Sequence, residues 1–121
     1  MELQVKPLAM AVVVMAAISS VALPQAVAGD TAMVEKGKKI AFDRKKGNCL
    51  TCHQIVGGTL AGNIGPPLIA MKARFPDKAK LRNDIWDMTT RNPHTMMPAF
   101  GKYRVLSESE IDAVVEYVHS L

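Results

Sequence analysis

Cys49-Leu50-Thr51-Cys52-His53 places two thiols and an imidazole within five residues. Thiols at that separation can add to the two vinyl groups of one porphyrin. The histidine that follows at once can reach the iron from the face beside those thioether bonds. Cys-x-x-Cys-His is the attachment pattern of a c-type haem. Two other chemistries use a Cys-x-x-Cys pair. Structural zinc takes four ligands, but the chain has only these two cysteines, and His94 and His119 lie far from them without metal-ligand spacing. A thioredoxin-like dithiol needs a βαβ context, and no strand pattern flanks Cys49. A disulfide across two intervening residues would be strained. Covalent haem is the reading these residues favour.

A second axial ligand is to be sought among the sulfur and imidazole groups downstream. A methionine in that position raises the reduction potential relative to a nitrogen ligand. His94-Thr95-Met96-Met97-Pro98 offers three candidates, His94, Met96 and Met97. Met97 is the better choice, because the proline after it fixes the local backbone. Met33, Met71 and Met88 read as core packing, the ordinary role of methionine. An iron-ligating histidine donates its other ring N–H to a carbonyl or carboxylate, which fixes its orientation. The turn Gly65-Pro66-Pro67-Leu68 can supply that carbonyl, although a rigid turn alone accounts for its composition equally well.

These residues have to be held by a small scaffold. Met33, Gly37, Ile40 and Ala41 recur at helical spacing, with Lys36, Lys38 and Lys39 off the stripe. Asp30 or Thr31 is suited to cap the start of that helix. Gly37 costs about 1 kcal/mol in a helix interior relative to alanine, so it marks either a close approach by another element or a tolerated surface position. A second helix is predicted from Asp77 to about Arg91, with Leu81, Ile85 and Met88 on one face and Trp86 beside them. Asn92-Pro93 stops it, because proline cannot continue the hydrogen-bond ladder. The last helix is the clearest. Ser107 and Glu110 form a capping-box pair, and Ile111, Val114, Val115, Val118 and Leu121 build one apolar stripe. Acidic residues near its start and His119 near its end suit the helix dipole, so His119 has a sufficient structural role. No run alternates as a strand does. The expected fold is all-α, three main helices around one covalently bound haem, with glycine- and proline-rich loops.

The N-terminus predicts export. Lys6 precedes an apolar run from Leu8 to Leu23, Pro24 breaks it, and Ala26-Val27-Ala28 offers small residues at the positions a signal peptidase reads. Residues 1–28 are expected to be a secretory signal cleaved after Ala28, and 29–121 one cytochrome-sized domain. An uncleaved anchor is the alternative, but the run is shorter than the roughly 20 apolar residues a spanning helix needs, so no membrane span is expected after cleavage. C-type haem is attached outside the cytoplasmic membrane, and in an oxidising compartment two free thiols would be at risk. A domain this small is marginal unless something else is buried with its core, and a haem supplies that. Losing Glu2 and Lys6 with the signal leaves the net charge at +4. Lys36, Lys38, Lys39, Arg44, Lys45 and Lys46 cluster before the haem motif, either as a solvated face or as a surface that steers acidic partners. Phe42 is the one aromatic residue among them, too little for a stacking surface, so nucleic-acid binding is not suggested.

Cys49–His53, the Gly65-Pro66 turn, Met97-Pro98 and a final helix carrying Tyr117 resemble a class I cytochrome c. That resemblance implies that the first and last helices cross near Gly37 and Tyr117, and that the Pro66 carbonyl holds His53. A narrower resemblance covers nearly all of 29–121. Gly47–Gln54, Ala61–Leu68, Met71–Pro76 and Arg91–Gly101 are similar to the SoxX family, the small monohaem subunits of SoxAX complexes. Ala99 departs from it, where that family often has a second proline. The resemblance implies a periplasmic role in thiosulfate oxidation, in an L-cysteine S-thiosulfotransferase assembly. The chain would be the electron-accepting subunit of a heterodimer with a SoxA-type cytochrome, acting on a carrier SoxYZ-type complex and passing electrons to a soluble cytochrome. Having no spare cysteine, it would supply no nucleophile and would not be catalytic alone. A free electron-shuttling class I cytochrome c remains open, as does a ligand-binding sensor with a labile sixth ligand.

Overall fold

The computed structural model of the chain describes residues 26–121, so most of the expected signal segment, residues 1–25, lies outside the described residues. The described residues are helical, with α1 at Ala26–Phe42, α2 at Met71–Arg74, α3 at Lys78–Asp87 and α4 at Glu108–His119; short 3-10 turns occupy Cys49–Thr51 and Met88–Thr90. No strand occurs among them, as an all-α fold requires. None of their helices is long and apolar enough to cross a membrane.

α1 and α4 are the main packed pair. Their crossing depends on Gly37, where a Cβ would stand 1.9 Å from the Ala113 carbonyl oxygen and 2.9 Å from the Tyr117 Cβ. Only hydrogen fits between these backbones, which settles the role of this glycine as close approach. Phe42 packs beside Tyr117 with ring centroids 6.3 Å apart. The predicted stripe of α4 is real: Ile111, Val114, Val115 and Val118 are buried and Leu121 packs on them. Each fully buried aliphatic side chain contributes roughly 1.5–3 kcal/mol. The Ser107–Glu110 capping box forms, with the Glu110 N–H donating to Ser107 Oγ at 3.3 Å and the Ser107 N–H donating to Glu110 Oε2 at 3.0 Å.

Two boundaries differ from expectation. α1 begins at Ala26, so Asp30 and Thr31 lie within it rather than capping it. Ala26-Val27-Ala28 includes the strongest helix former, and no proline or glycine lies between Ala26 and Ala28. α3 begins where expected, with Asp77 accepting the Ala79 N–H at 2.8 Å, but it stops at Asp87 instead of Arg91. Asp87 leaves helical geometry (φ −157°, ψ 91°) and its carboxylate takes the Thr89 N–H at 3.0 Å. A short acidic side chain thus offers the backbone a partner that competes with the helix ladder.

α3 lies against α4 through ion pairs, Arg82 with Asp112 at 2.7 Å and Lys78 with Glu116 at 2.7 Å. The end of the chain is fastened to α2: the Met71 N–H donates to the Leu121 carbonyl at 2.8 Å, and His119, buried, donates from Nε2 to the Phe75 carbonyl at 3.0 Å. His119 is thereby occupied in holding the fold.

Candidate functional site: the haem-binding segment

The chain leaves α1 through a tight winding of residues 43–48. The Gly47 N–H donates to the Ile40 carbonyl at 3.1 Å and the Asn48 N–H to the Asp43 carbonyl at 3.0 Å. Asn48 is left-handed (φ 47°), a conformation asparagine tolerates better than most residues. Cys49 is thus delivered against the core. Burial pushes its thiol up to about 11. A sulfur held this way is a poor thiolate and suits a neutral thioether.

From Cys49 to His53 the backbone makes one turn, with the Cys52 and His53 N–H groups both donating to the Cys49 carbonyl, at 3.2 and 2.9 Å. A second segment runs alongside, fixed by three bonds: Gly62 N–H to the Leu50 carbonyl, Gly65 N–H to the Cys52 carbonyl and Leu68 N–H to the Gln54 carbonyl, at 2.9, 2.8 and 2.9 Å. This approach depends on glycine. A Cβ on Gly62 would lie 1.8 Å from the Thr51 carbonyl oxygen, and one on Gly65 would lie 2.4 Å from Cε1 of the His53 ring.

The pairing carries the Pro66 carbonyl to His53, whose Nδ1 donates to it at 2.7 Å. A carbonyl can only accept, so Nδ1 bears the proton and Nε2 keeps its lone pair, the tautomer a metal requires. Pro66 is restricted by its own ring and again by Pro67 after it, so its carbonyl is aimed before any ligand arrives. Arg74 adds a brace by donating to the Pro67 carbonyl at 2.8 Å.

Of the three candidates for the second axial ligand, Met97 is half-buried and packs on the core, whereas Met96 is 76 % exposed and His94 is exposed. The Met97 N–H donates to Thr95 Oγ1 at 3.1 Å, which holds the backbone that turns its side chain inward. An open groove of about 610 Å³, lined by Ile55, Val56, Leu60, Pro67 and Ile69 among others, includes none of Cys49, Cys52, His53 or Met97.

The alternative chemistries find no support in this geometry. Among the described residues no three His, Cys, Asp or Glu side chains converge as a metal cluster, and no strand stands beside Cys49 to build a βαβ dithiol site. The residues fit a haem: two sulfurs one turn apart, an imidazole with the correct tautomer, and Gly65 flush against its ring. The packing roles of Gly62 and Gly65 were not legible in sequence. Nor does the sequence mark Thr95, Arg74, or the contact of Trp86 with Gly101, because each depends on a partner distant in sequence or on a loop conformation.

The family described as "Cytochrome C oxidase, cbb3-type, subunit III" matches residues 32–118. The chain is also 31% identical over 93 residues to an "Uncharacterized lipoprotein" of Aquifex aeolicus (strain VF5). That match covers 73% of this chain and 45% of the relative, so the chain spans about half the length of the curated relative it matches.

Proposed function

We propose, from the premise that the chain belongs to the family of c-type cytochrome domains described as cytochrome c oxidase, cbb3-type, subunit III, that it is the electron-accepting subunit of a complex that oxidatively couples thiosulfate to a carrier-protein cysteine. Membership makes the chain a monohaem electron-transfer domain with covalently bound haem c. The sulfur chemistry is the finer reading. It is supported by the SoxX-like loops Gly47–Gln54, Ala61–Leu68 and Arg91–Gly101 taken together.

Haem c bound at this site supplies a one-electron couple. Cys49 and Cys52, the chain's only cysteines, tether it. His53, its ring fixed by the Pro66 carbonyl, would ligate the iron through Nε2, and Met97 would supply the second protein ligand. Two protein ligands would dispose the iron to electron transfer, and Cys49 and Cys52 would both be consumed as thioethers. The SoxX-like loops carry the reading; on it the sulfur-bearing nucleophile belongs to a partner, and this chain receives the two electrons singly. The partner is a SoxA-type cytochrome in a heterodimer, the substrate a SoxYZ-type carrier with thiosulfate, and the acceptor a soluble cytochrome. The compartment is the periplasm, reached by cleavage of residues 1–28.

The exposed lysines and arginine of 36–46 support steering toward acidic partners. Lys46 is partly withdrawn from that role by its ion pair with Glu110.

Native purification followed by haem reduction tests the reading. Co-purification with a larger haem subunit, and reduction of this chain's haem on adding thiosulfate and carrier, are expected. A monomeric native protein that thiosulfate and carrier leave oxidised refutes the complex and favours a free electron-shuttling class I cytochrome c, which the same family membership accommodates.

A further inference from the structure

Met97 sits in a loop whose two ends return to one short stretch of chain. On the upstream side the Asn92 N–H donates to the Met88 carbonyl at 2.9 Å, and the Thr95 N–H to the Asn92 carbonyl at 3.1 Å. On the downstream side the Gly101 and Lys102 N–H groups both donate to the Trp86 carbonyl, at 3.1 and 3.3 Å. The Trp86 indole lies flat on Gly101, where a Cβ would stand 2.1 Å from Cδ2. Asp87, buried, takes Lys102 Nζ at 3.0 Å. The Thr89 N–H and hydroxyl hold the same carboxylate from the other side. Two residues at the end of α3 thus grip two residues just beyond the ligand loop through backbone, ring and charge. The deviation of Asp87 from helical geometry, which ends α3 early, is what frees the Asp87 side chain for this grip.

We propose that this clasp, Trp86-Asp87 on Gly101-Lys102, is the set of positioning residues that keeps the Met97 sulfur on the haem iron. The strength of the sixth bond, and the resistance of the iron to outside ligands, is set four and five residues downstream of Met97. The inference rests on Met97 being the axial ligand. Its physical basis is local stability. Lys102 is half exposed, so its ion pair adds little to global folding. The pair nevertheless closes the base of the one segment whose opening would release the sulfur, and such segments open independently of the core.

The test uses purified holoprotein carrying Lys102→Met, Lys102→Arg, Gly101→Ala or Met97→Ala. Three quantities are read: carbon monoxide association with the reduced form, the midpoint potential, and the methionine-to-iron charge-transfer band at the red end of the oxidised spectrum. Outer-shell partners of a metal ligand are worth ~10–100-fold. Lys102→Met is expected to bind carbon monoxide about tenfold faster or more and to lower the potential, with only a small shift of its denaturant midpoint, as for an exposed ion pair. Lys102→Arg restores both properties. Gly101→Ala exceeds Lys102→Met in the same direction, and if it does not fold, the Lys102 pair still decides. A Met97→Ala protein that keeps the band overturns the ligand assignment. A Met97→Ala protein that loses the band, beside a Lys102→Met protein with wild-type association rate and potential, overturns the clasp and leaves the ligand assignment standing.

Discussion

Gly65→Ala is the sharpest perturbation of the proximal side. The added Cβ would stand 2.4 Å from Cε1, 2.6 Å from Nδ1 and 2.8 Å from Nε2 of His53. Ordinary carbon contacts begin near 3.5 Å, so ring and loop must separate by about 1 Å. The Nδ1–Pro66 bond, now 2.7 Å, then lengthens past the ~3.2 Å limit of a good N–H···O bond. Such a bond is worth about 1 kcal/mol net. Its loss makes the imidazole a weaker donor and destabilises the oxidised iron more than the reduced. If the full amount falls on the oxidised state, the midpoint potential rises by up to ~40 mV, since a one-electron tenfold change is ~59 mV. Spectroelectrochemical titration of the holoprotein measures it. Pro66→Ala keeps the acceptor carbonyl and loses only stiffness, so its shift should be smaller. A Gly65→Ala protein with the wild-type potential, or one shifted downward, refutes the argument that the ring is seated against this glycine and held by the Pro66 carbonyl.

Gly37→Ala should cost stability despite alanine's better helix propensity. Overpacking against the Ala113 carbonyl costs about 3 kcal/mol, propensity returns about 1, and a net loss near 2 kcal/mol should appear in denaturant unfolding; a stabilised variant would contradict the crossing. Asp87 is held below the usual carboxylate range by its hydrogen bonds from Thr89 and Lys102. Its contribution is therefore complete above the ordinary aspartate pKa and is lost as pH falls through the depressed value. The stability gap between wild type and Asp87→Asn should narrow as acid is added across that window, and a gap that is constant with pH would count against the ion pair. Lys45→Glu, at an exposed position beside the haem segment, should slow electron transfer to an acidic partner at low salt and converge with wild type at high salt; equal rates at both salts would remove the steering role.

The local features were legible without a structure. Cys49–His53 carries its chemistry within five residues, and the capping box and stripe of α4 are short-range patterns, so sequence alone specified covalent haem and the all-α class. The helical pattern of α3 runs past its true end because the stop lies in a side chain, Asp87, whose alternative to the helix ladder is decided by Lys102 and Thr89. Met96 and Met97 are adjacent and chemically identical. Only the tertiary structure turned one outward and packed the other on the core, because burial is set by Thr95 and by the fastening of residues 101–102 to α3. Gly62, Gly65 and Gly101 carry no signal of close approach in the sequence. Each became specific only when a carbonyl, an imidazole or an indole from elsewhere in the chain filled the space a side chain would occupy.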